Sequence, residues 1–341
     1  MAKAFPRHNR EAGSERKSRA TGLTTATANM RGYLTILAII QIQLLSGCNG
    51  FAFQLPKIQM PWEGTESISS SPTNKKSPIA PNDRILIIGG TGGLGQLVTK
   101  KLAARNMNYQ ITITSRDAAR ARETIDDEDI NVLGLKLVGD DKASDAELQS
   151  AMEGATAIVV SVGTTAFPTK QWDGGNVPKA IDMEAVARIA TAASKTESIR
   201  RVVLLTSVGV KRTKQMPFLI LNLFGVLDAK REGEEAVKSA ASEAGCSYAI
   251  VRPGRLVGGP YTNTDFVKMF QIEGGAENGV DVALGDDLLG DCKRDACAEA
   301  VLQALENECC VDLEFSLVSN EEKALTNDEW SSAFKSMSGA M

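Results

Sequence analysis

The chain has 341 residues, 43% hydrophobic, 5% aromatic and 23% charged, with 38 basic and 42 acidic side chains. That composition excludes a chain disordered throughout, a collagen-like fibre and a multi-spanning membrane protein. The charge is split: the first 33 residues carry seven Lys/Arg against two Asp/Glu, and the remainder carries 31 against 40. An acidic body offers no polyanion-binding stripe, so no nucleic-acid partner is expected.

The leader contains the single histidine, His8, which leaves the body without an imidazole. Ser-His-Asp and Cys-His catalysis are thereby excluded from the body, and no metal site is expected there. Residues 33–45 (YLTILAIIQIQLL) form an apolar run preceded by Arg16, Lys17, Arg19 and Arg31. It is shorter than the roughly 20 residues a membrane-spanning helix needs, and Gln41 and Gln43 interrupt it. Cys48 and Gly50 stand at the small-residue positions of a cleavage before Phe51, the pattern of a secretory signal; the alternative is an amphipathic helix that stays attached. The stretch SISSSPTNKKSPIAP that follows lacks the apolar surface to order itself, which makes it a linker or a second targeting element. The expected division is a signal-peptide-like leader over 1–50, a Ser/Pro-rich transit or linker segment over 51–81, and one folded domain over 82–341. The leader resembles the bipartite presequences of algae with secondary plastids, while Leu45-Ser46-Gly47-Cys48 resembles a bacterial lipobox. Plastid localisation is the expectation, with secretory or lipoprotein-like routes as alternatives and no membrane span in the mature protein.

From Arg84 the pattern changes. Arg84–Ile88 reads as a buried parallel strand and runs directly into Gly89-Gly90-Thr91-Gly92-Gly93-Leu94-Gly95, followed by helical periodicity over Gln96–Arg105. Gly90, Gly92 and Gly95 satisfy G-x-G-x-x-G between strand and helix, with Thr91, Gly93 and Leu94 completing the loop. Glycine is needed there for the tight turn, for approach of the backbone to a pyrophosphate, and for packing helix on strand. The helix N-terminus then presents N–H groups to the phosphates.

Further strands are predicted at 110–115, 132–138, 156–161, 201–206, 247–251 and 313–318, and helices at 117–125, 144–151, 179–195, 228–243 and 294–306. This alternation predicts an α/β, doubly wound, mostly parallel sheet, a Rossmann fold in a single domain. The second strand ends Ser115-Arg116 where an NAD-specific site would carry a carboxylate. A hydroxyl followed by Arg suits a 2′-phosphate, and Arg120 offers a second contact, so NADP(H) is preferred with NAD(H) as the alternative. Of six cysteines, Cys48, Cys246, Cys292, Cys297, Cys309 and Cys310, none are spaced C-x-x-C, which reads as mostly reduced thiols. The adjacent Cys309-Cys310 pair is either a redox sensor or simply buried at a helix end.

The glycine loop, Asp140 after the third strand, Ser161-Val162-Gly163-Thr164-Thr165 after the fourth, Leu205-Thr206-Ser207 after the fifth and Arg252-Pro253-Gly254 after the sixth resemble a short-chain dehydrogenase/reductase. More narrowly, Val162–Pro168, Trp172-Asp173-Gly174, Leu223-Phe224-Gly225 and Arg252–Leu256 with Gly259-Pro260-Tyr261 are similar to the atypical NAD(P)H-binding, NmrA-like members of plant chloroplasts and cyanobacteria. The resemblance covers about residues 84–320. It implies Asp140 near the adenine, Ser161, Val162, Gly163 and Thr164 beside the cofactor, and Ser207 with Arg252, Pro253 and Gly254 near the nicotinamide. The family's reductases pair Ser with Tyr-x-x-x-Lys, the Lys lowering the Tyr pKa for proton exchange.

Here Ser207 is present and Lys230 stands where the family's Lys would be, but Val226 occupies the Tyr position. Tyr33, Tyr109, Tyr248 and Tyr261 are followed four residues later by Leu37, Ile113, Arg252 and Asp265, so the standard relay is absent. Tyr261 is a candidate substitute acid or an aromatic lining a loop. Phe167 and Trp172 either cover the nicotinamide end or anchor their loop. Lys230 is a candidate catalytic residue, a ligand of the ribose hydroxyls without any Tyr, or one of several charges on a solvated helix face. Two functions follow: an NADPH-dependent oxidoreductase acting on a small carbonyl or quinone-like substrate through Ser207 and water, or a non-catalytic NADP(H)-binding redox sensor that regulates a partner protein.

Overall fold

Strand β1 (Arg84–Ile88) divides its side chains between two cores. Ile85 and Ile87 enter one apolar cluster while Leu86 and Ile88 enter the other, the period-two split of a strand covered on both faces. The computed structural model describes residues 76–259 and 279–339, all within a unit spanning 70–341. After β1 come α1 (Gly95–Ala104), β2 (Gln110–Ser115), α2 (Ala118–Ile125), β3 (Asn131–Gly134), α3 (Asp145–Met152) and β4 (Ala157–Val160). A π-helical turn, Lys179–Ala185, leads into α4 (Val186–Ser194), then β5 (Arg201–Leu205), the one-turn α5 (Phe218–Leu221), α6 (Val226–Ala244) and β6 (Ser247–Pro253). The described chain closes with β7 (Arg255–Val257), β8 (Val280–Leu284), β9 (Asp291–Lys293), α7 (Arg294–Glu306), β10 (Leu313–Ser319) and α8 (Asn327–Ser338).

Eight strands form one sheet in the order β3-β2-β1-β4-β5-β6-β10-β8, parallel throughout except that β8 runs against β10. Leu102 of α1, Ile125 of α2, Val301 and Leu305 of α7, and Trp330 and Phe334 of α8 fill one face. Leu148 of α3, Ile189 of α4 and Val237 of α6 fill the other. The fold is the expected doubly wound α/β domain. Strand order reverses between β1 and β4, so the ligand crevice lies beyond their carboxyl ends.

Several elements differ from the sequence expectation. Strand β3 stops at Gly134, because the chain beyond it turns away toward the capping box of α3, where the Ser144 hydroxyl accepts from the Glu147 N–H. The helix expected over 179–195 opens as a π turn instead of a regular α turn. Strands β7, β8 and β9 and helix α8 were not anticipated, although α8 begins with a readable Thr326/Glu329 capping box. Arg201 is fully buried and donates to the carbonyls of Ala304, Leu305 and Asn307 at 2.9, 3.2 and 2.8 Å, closing the C-terminal end of α7. Cys310 is buried just beyond that end, and burial pushes its thiol up to about 12, so it holds no thiolate at neutral pH. The leader, the 51–75 segment and Tyr261 lie outside the described residues.

Candidate functional site

The turn from β1 into α1 is shaped by what glycine omits. A Cβ at Gly90 would stand 2.6 Å from the Ile113 Cβ on β2, and one at Gly95 would stand 2.2 Å from the Gly89 carbonyl oxygen. Only without those carbons does α1 start hard against the strand. Its N-cap, Leu94, supplies no side-chain hydrogen bond, and the first-turn Gln96 N–H donates to the Gly92 carbonyl at 2.9 Å, which folds the glycine loop onto the helix start. These features fit a bound pyrophosphate.

A cavity of about 970 Å³ begins at Gly92, Gly93 and Leu94 and crosses the carboxyl ends of β4, β5 and β6. Ser161, Val162 and Gly163 form its wall after β4, Ser207 after β5, and Pro253 and Gly254 after β6, with Lys230 reaching in from α6. Thus most of the residues expected at a cofactor site line one continuous space. The Thr91 hydroxyl lies 3.4 Å from that of Ser115, which ties the glycine loop to the tip of β2. Arg116 follows there as an exposed side chain and lines a second hollow of about 500 Å³ beside β3. Asp140 is exposed in the turn after β3 and outside the lining of either space.

Arg252 does not join the cavity wall, contrary to what the resemblance implied. Its guanidinium is fully buried and donates to both carboxylate oxygens of Glu234, at 2.9 and 2.7 Å, to Glu314 at 2.5 Å and to the Gly285 carbonyl at 3.1 Å. Burial lowers the Arg252 pKa, but Glu234 and Glu314 outweigh it and the net shift is upward. Glu314 is shifted the other way: burial raises its carboxyl, yet hydrogen bonds from Lys211, Arg252 and Lys238 hold it at about 2. The role of Arg252 here is to lock β6 to α6 and β10, and so to fix Pro253 and Gly254. Thr206 joins the same network, donating to Glu234 at 2.6 Å.

Lys230 is held by a residue that carries no signal in its local pattern. Asp182, on the π turn, is 1% exposed at its side chain and pairs with the Lys230 ammonium. Its other oxygen accepts from the Thr164 N–H at 3.2 Å and from the Thr164 hydroxyl. The π turn and α6 come close enough for this because position 233 is glycine: a Cβ there would meet the Asp182 carbonyl oxygen at 2.3 Å. One carboxylate therefore couples the loop after β4 to the lysine of α6. Val226, at the family's Tyr position, is buried with Val208, Val210 and Phe218, and offers no proton. The Ser207 hydroxyl donates to the Val208 carbonyl at 3.0 Å. Phe167 and Trp172 stay outside the lining and pack edge-on against Phe224, with centroids 6.2 and 6.0 Å away, and Trp172 Nε1 donates to Thr165 Oγ1 at 3.1 Å. They anchor their loop.

Comparison with known proteins gives the family of the chain. A family model described as NAD(P)H-binding matches residues 89–308. The chain is 30% identical over 199 residues to the chloroplastic protein TIC 62 of Arabidopsis thaliana, covering 55% of this chain and 29% of that protein. It is 28% identical over 200 residues to TIC 62 of Oryza sativa subsp. japonica, covering 55% and 38% respectively. The chain thus spans well under half the length of these relatives. Among solved structures, the oxidoreductase ylbE of Lactococcus lactis superposes with a TM-score of 0.55 at 17% identity, over 75% of this chain and 97% of that one. A yeast methylglyoxal/isovaleraldehyde reductase, Gre2, complexed with NADPH, superposes with a TM-score of 0.50 at 14% identity, over 69% and 78%. At these identities the structural likeness is one of fold. Among the described residues no helix is long and apolar enough to cross a membrane.

Proposed function

The chain belongs to the NAD(P)H-binding family, and on that premise we propose that it is an NADPH-dependent oxidoreductase acting on a small carbonyl or quinone-like substrate. The observation that carries this reading is the single cavity joining the glycine loop to Ser207 and Lys230. The glycine loop and the start of α1 would hold the diphosphate, and Ser161, Val162, Gly163, Pro253 and Gly254, across the strand-order reversal, would hold the nicotinamide end. Arg116 takes the 2′-phosphate through its forked donors, which gives NADP(H) its preference over NAD(H). Lys230, fixed by Asp182, holds the nicotinamide ribose. NADPH, when bound there, would supply the hydride for the carbonyl carbon and be oxidised to NADP⁺. The carbonyl oxygen, oriented by Ser207, takes its proton from water, because Val226 offers none. The relatives' chloroplastic names support a plastid setting for the chain.

NADPH consumption by the wild-type chain and by Ser207→Ala tests the catalytic reading. The variant is expected to lose about 10²-fold in kcat; consumption unchanged by the substitution rejects the role of Ser207 and with it this mechanism.

A second reading rests on the missing tyrosine and on the Lys230–Asp182 pair, which occupies the lysine that would otherwise tune it. In it the chain is a non-catalytic NADP(H) sensor that regulates a partner protein. That requires the partner to distinguish the NADPH-bound from the NADP⁺-bound form. Equal partner binding in both forms removes this alternative.

A further inference from the structure

Most of the large apolar side chains left exposed among the described residues belong to one ridge, between β5 and α6. Met216 and Leu223 are 65% and 67% exposed, and Leu219, Ile220 and Phe224 stand out of the same segment. Phe167, from the loop after β4, meets Phe224 edge-on and extends the ridge. From Lys214 to Phe224 only Phe218 and Asn222 withdraw from solvent. Single exposed apolar residues are ordinary, but a continuous run of this kind marks an interaction surface.

The ridge is firmly seated. Phe218 turns inward against Val208, Val210, Val226 and Leu227, and the Arg212 guanidinium lies 4.6 Å from its ring centroid. Gly209 makes room for it, since a Cβ there would stand 2.1 Å from the Phe218 ring. The backbone of the ridge satisfies itself. The N–H groups of Leu219, Ile220, Asn222 and Leu223 donate to the carbonyls of Gln215, Pro217, Phe218 and Ile220 at 2.8, 3.1, 2.8 and 3.3 Å. Asn222 Oδ1 accepts from the N–H groups of Leu227 and Asp228 at 2.9 and 3.1 Å. A backbone whose polar groups are already paired loses little when its side chains leave water for hydrocarbon.

Charge narrows the occupant. The body is acidic, yet no Asp or Glu occurs between Glu153 and Asp173 or between Glu197 and Asp228, the two stretches that supply the ridge. Lys211 and Arg212 are taken up by Glu314 and Asp286, at 2.7 and 3.3 Å, and Asp228 is answered by Arg231 at 3.0 Å. Lys170 and Lys214, both exposed, carry no ion pair among the described residues; against them stands the exposed Asp173. Lysines flanking an apolar protrusion are the pattern of a segment that enters the boundary between headgroups and acyl chains, its ammonium groups left among anionic headgroups. A ridge needs no matching hollow in a fluid bilayer, whereas a second copy would bring like-charged lysines together.

We propose that this ridge docks the protein on the surface of a bilayer containing anionic lipid. Leu219, Ile220, Leu223 and Phe224 insert, and Lys170 and Lys214 stay at the headgroups. Docking of this kind needs no membrane-spanning helix and does not depend on turnover of any substrate.

The test places a reporter on the ridge of the full chain, Leu223→Trp. Vesicles are made of phosphatidylcholine alone or mixed with phosphatidylglycerol, each with and without brominated acyl chains. On the mixed vesicles the added indole is expected to emit at shorter wavelength than in buffer and to be quenched by bromine, a signal distinct from any lipid binding by the leader. Adding Lys170→Gln and Lys214→Gln is expected to raise the lipid concentration for half-maximal quenching about tenfold or more. An indole that stays in water on the mixed vesicles overturns the proposal. So does quenching that is equally strong on phosphatidylcholine alone and unmoved by the lysine substitutions. A chain that sediments as a dimer without lipid, and as a monomer once Leu219→Ser and Leu223→Ser are introduced, assigns the ridge to a second copy and overturns it as well.

Discussion

At the β1–α1 end the cavity is shaped by absent side chains, whereas at the β5–α6 end it is shaped by charges that other charges hold in place. The first end depends on Gly90 and Gly95, whose Cβ positions are already filled by Ile113 and by the Gly89 carbonyl. The second depends on Lys230 against Asp182, and on Arg252 between Glu234 and Glu314. Backbone sterics of the first kind tolerate no replacement and are written in the order of residues. Charge networks of the second kind join residues far apart in the chain and can be rebuilt from different partners.

Removing Arg252 should break the second end most severely. Arg252→Met leaves Glu234 buried without its partner and is expected to cost about 3–5 kcal/mol of stability, measured by urea denaturation. A loss below about 1 kcal/mol would mean that water or Lys238 already serves Glu234 and Glu314. At the first end, Gly95→Ala drives a methyl group into the Gly89 carbonyl and should cost about 1–3 kcal/mol, while abolishing measurable NADPH binding. An alanine variant that binds NADPH normally would show that α1 can shift without opening the phosphate cradle.

Acid titration separates the two ends without a change at the cofactor loop. The Glu314 carboxyl is held at about 2 against an ordinary 4.5, so its folded-state pKa is lowered. Its contribution to stability is therefore present above pH 4.5 and is lost as the pH falls from 4.5 toward 2. Glu314→Gln should be less stable than wild type at pH 7, and the gap should close through that window in urea titrations at fixed pH. A gap that stays constant to pH 2 would contradict the assignment. The smallest expected effect is at the tip of β2. Arg116→Ala should weaken NADPH about tenfold while leaving NADH unchanged, read from paired binding isotherms.

The legible parts of the molecule were those with local causes. The β1 run, the glycine loop and the α7 helix over 294–306 were read from adjacent residues, because strand burial, tight turns and helical period act over a few positions. Cavity-lining positions such as Ser161, Ser207, Lys230 and Gly254 could also be named in advance, because the resemblance to the short-chain dehydrogenase/reductases implied them. Arg252 could not be assigned correctly from its place in Arg-Pro-Gly, because its partners Glu234 and Glu314 lie 18 and 62 residues away. Asp182 had no signal at all. It is one acid in a helical stretch, and only the π turn and Gly233 together bring it to Lys230. Strands β7 and β9 have three residues each, too few for a period, yet they carry the Arg255–Asp291 pair on the cavity rim.

Calorimetric titration of the full chain with NADPH and NADH in parallel tests the central claim, that the glycine cradle and the wall from Ser161 to Gly254 form one dinucleotide site. The account predicts one NADPH bound per chain, with NADH at least about tenfold weaker through the loss of the Arg116 contact. Binding of neither nucleotide would contradict it.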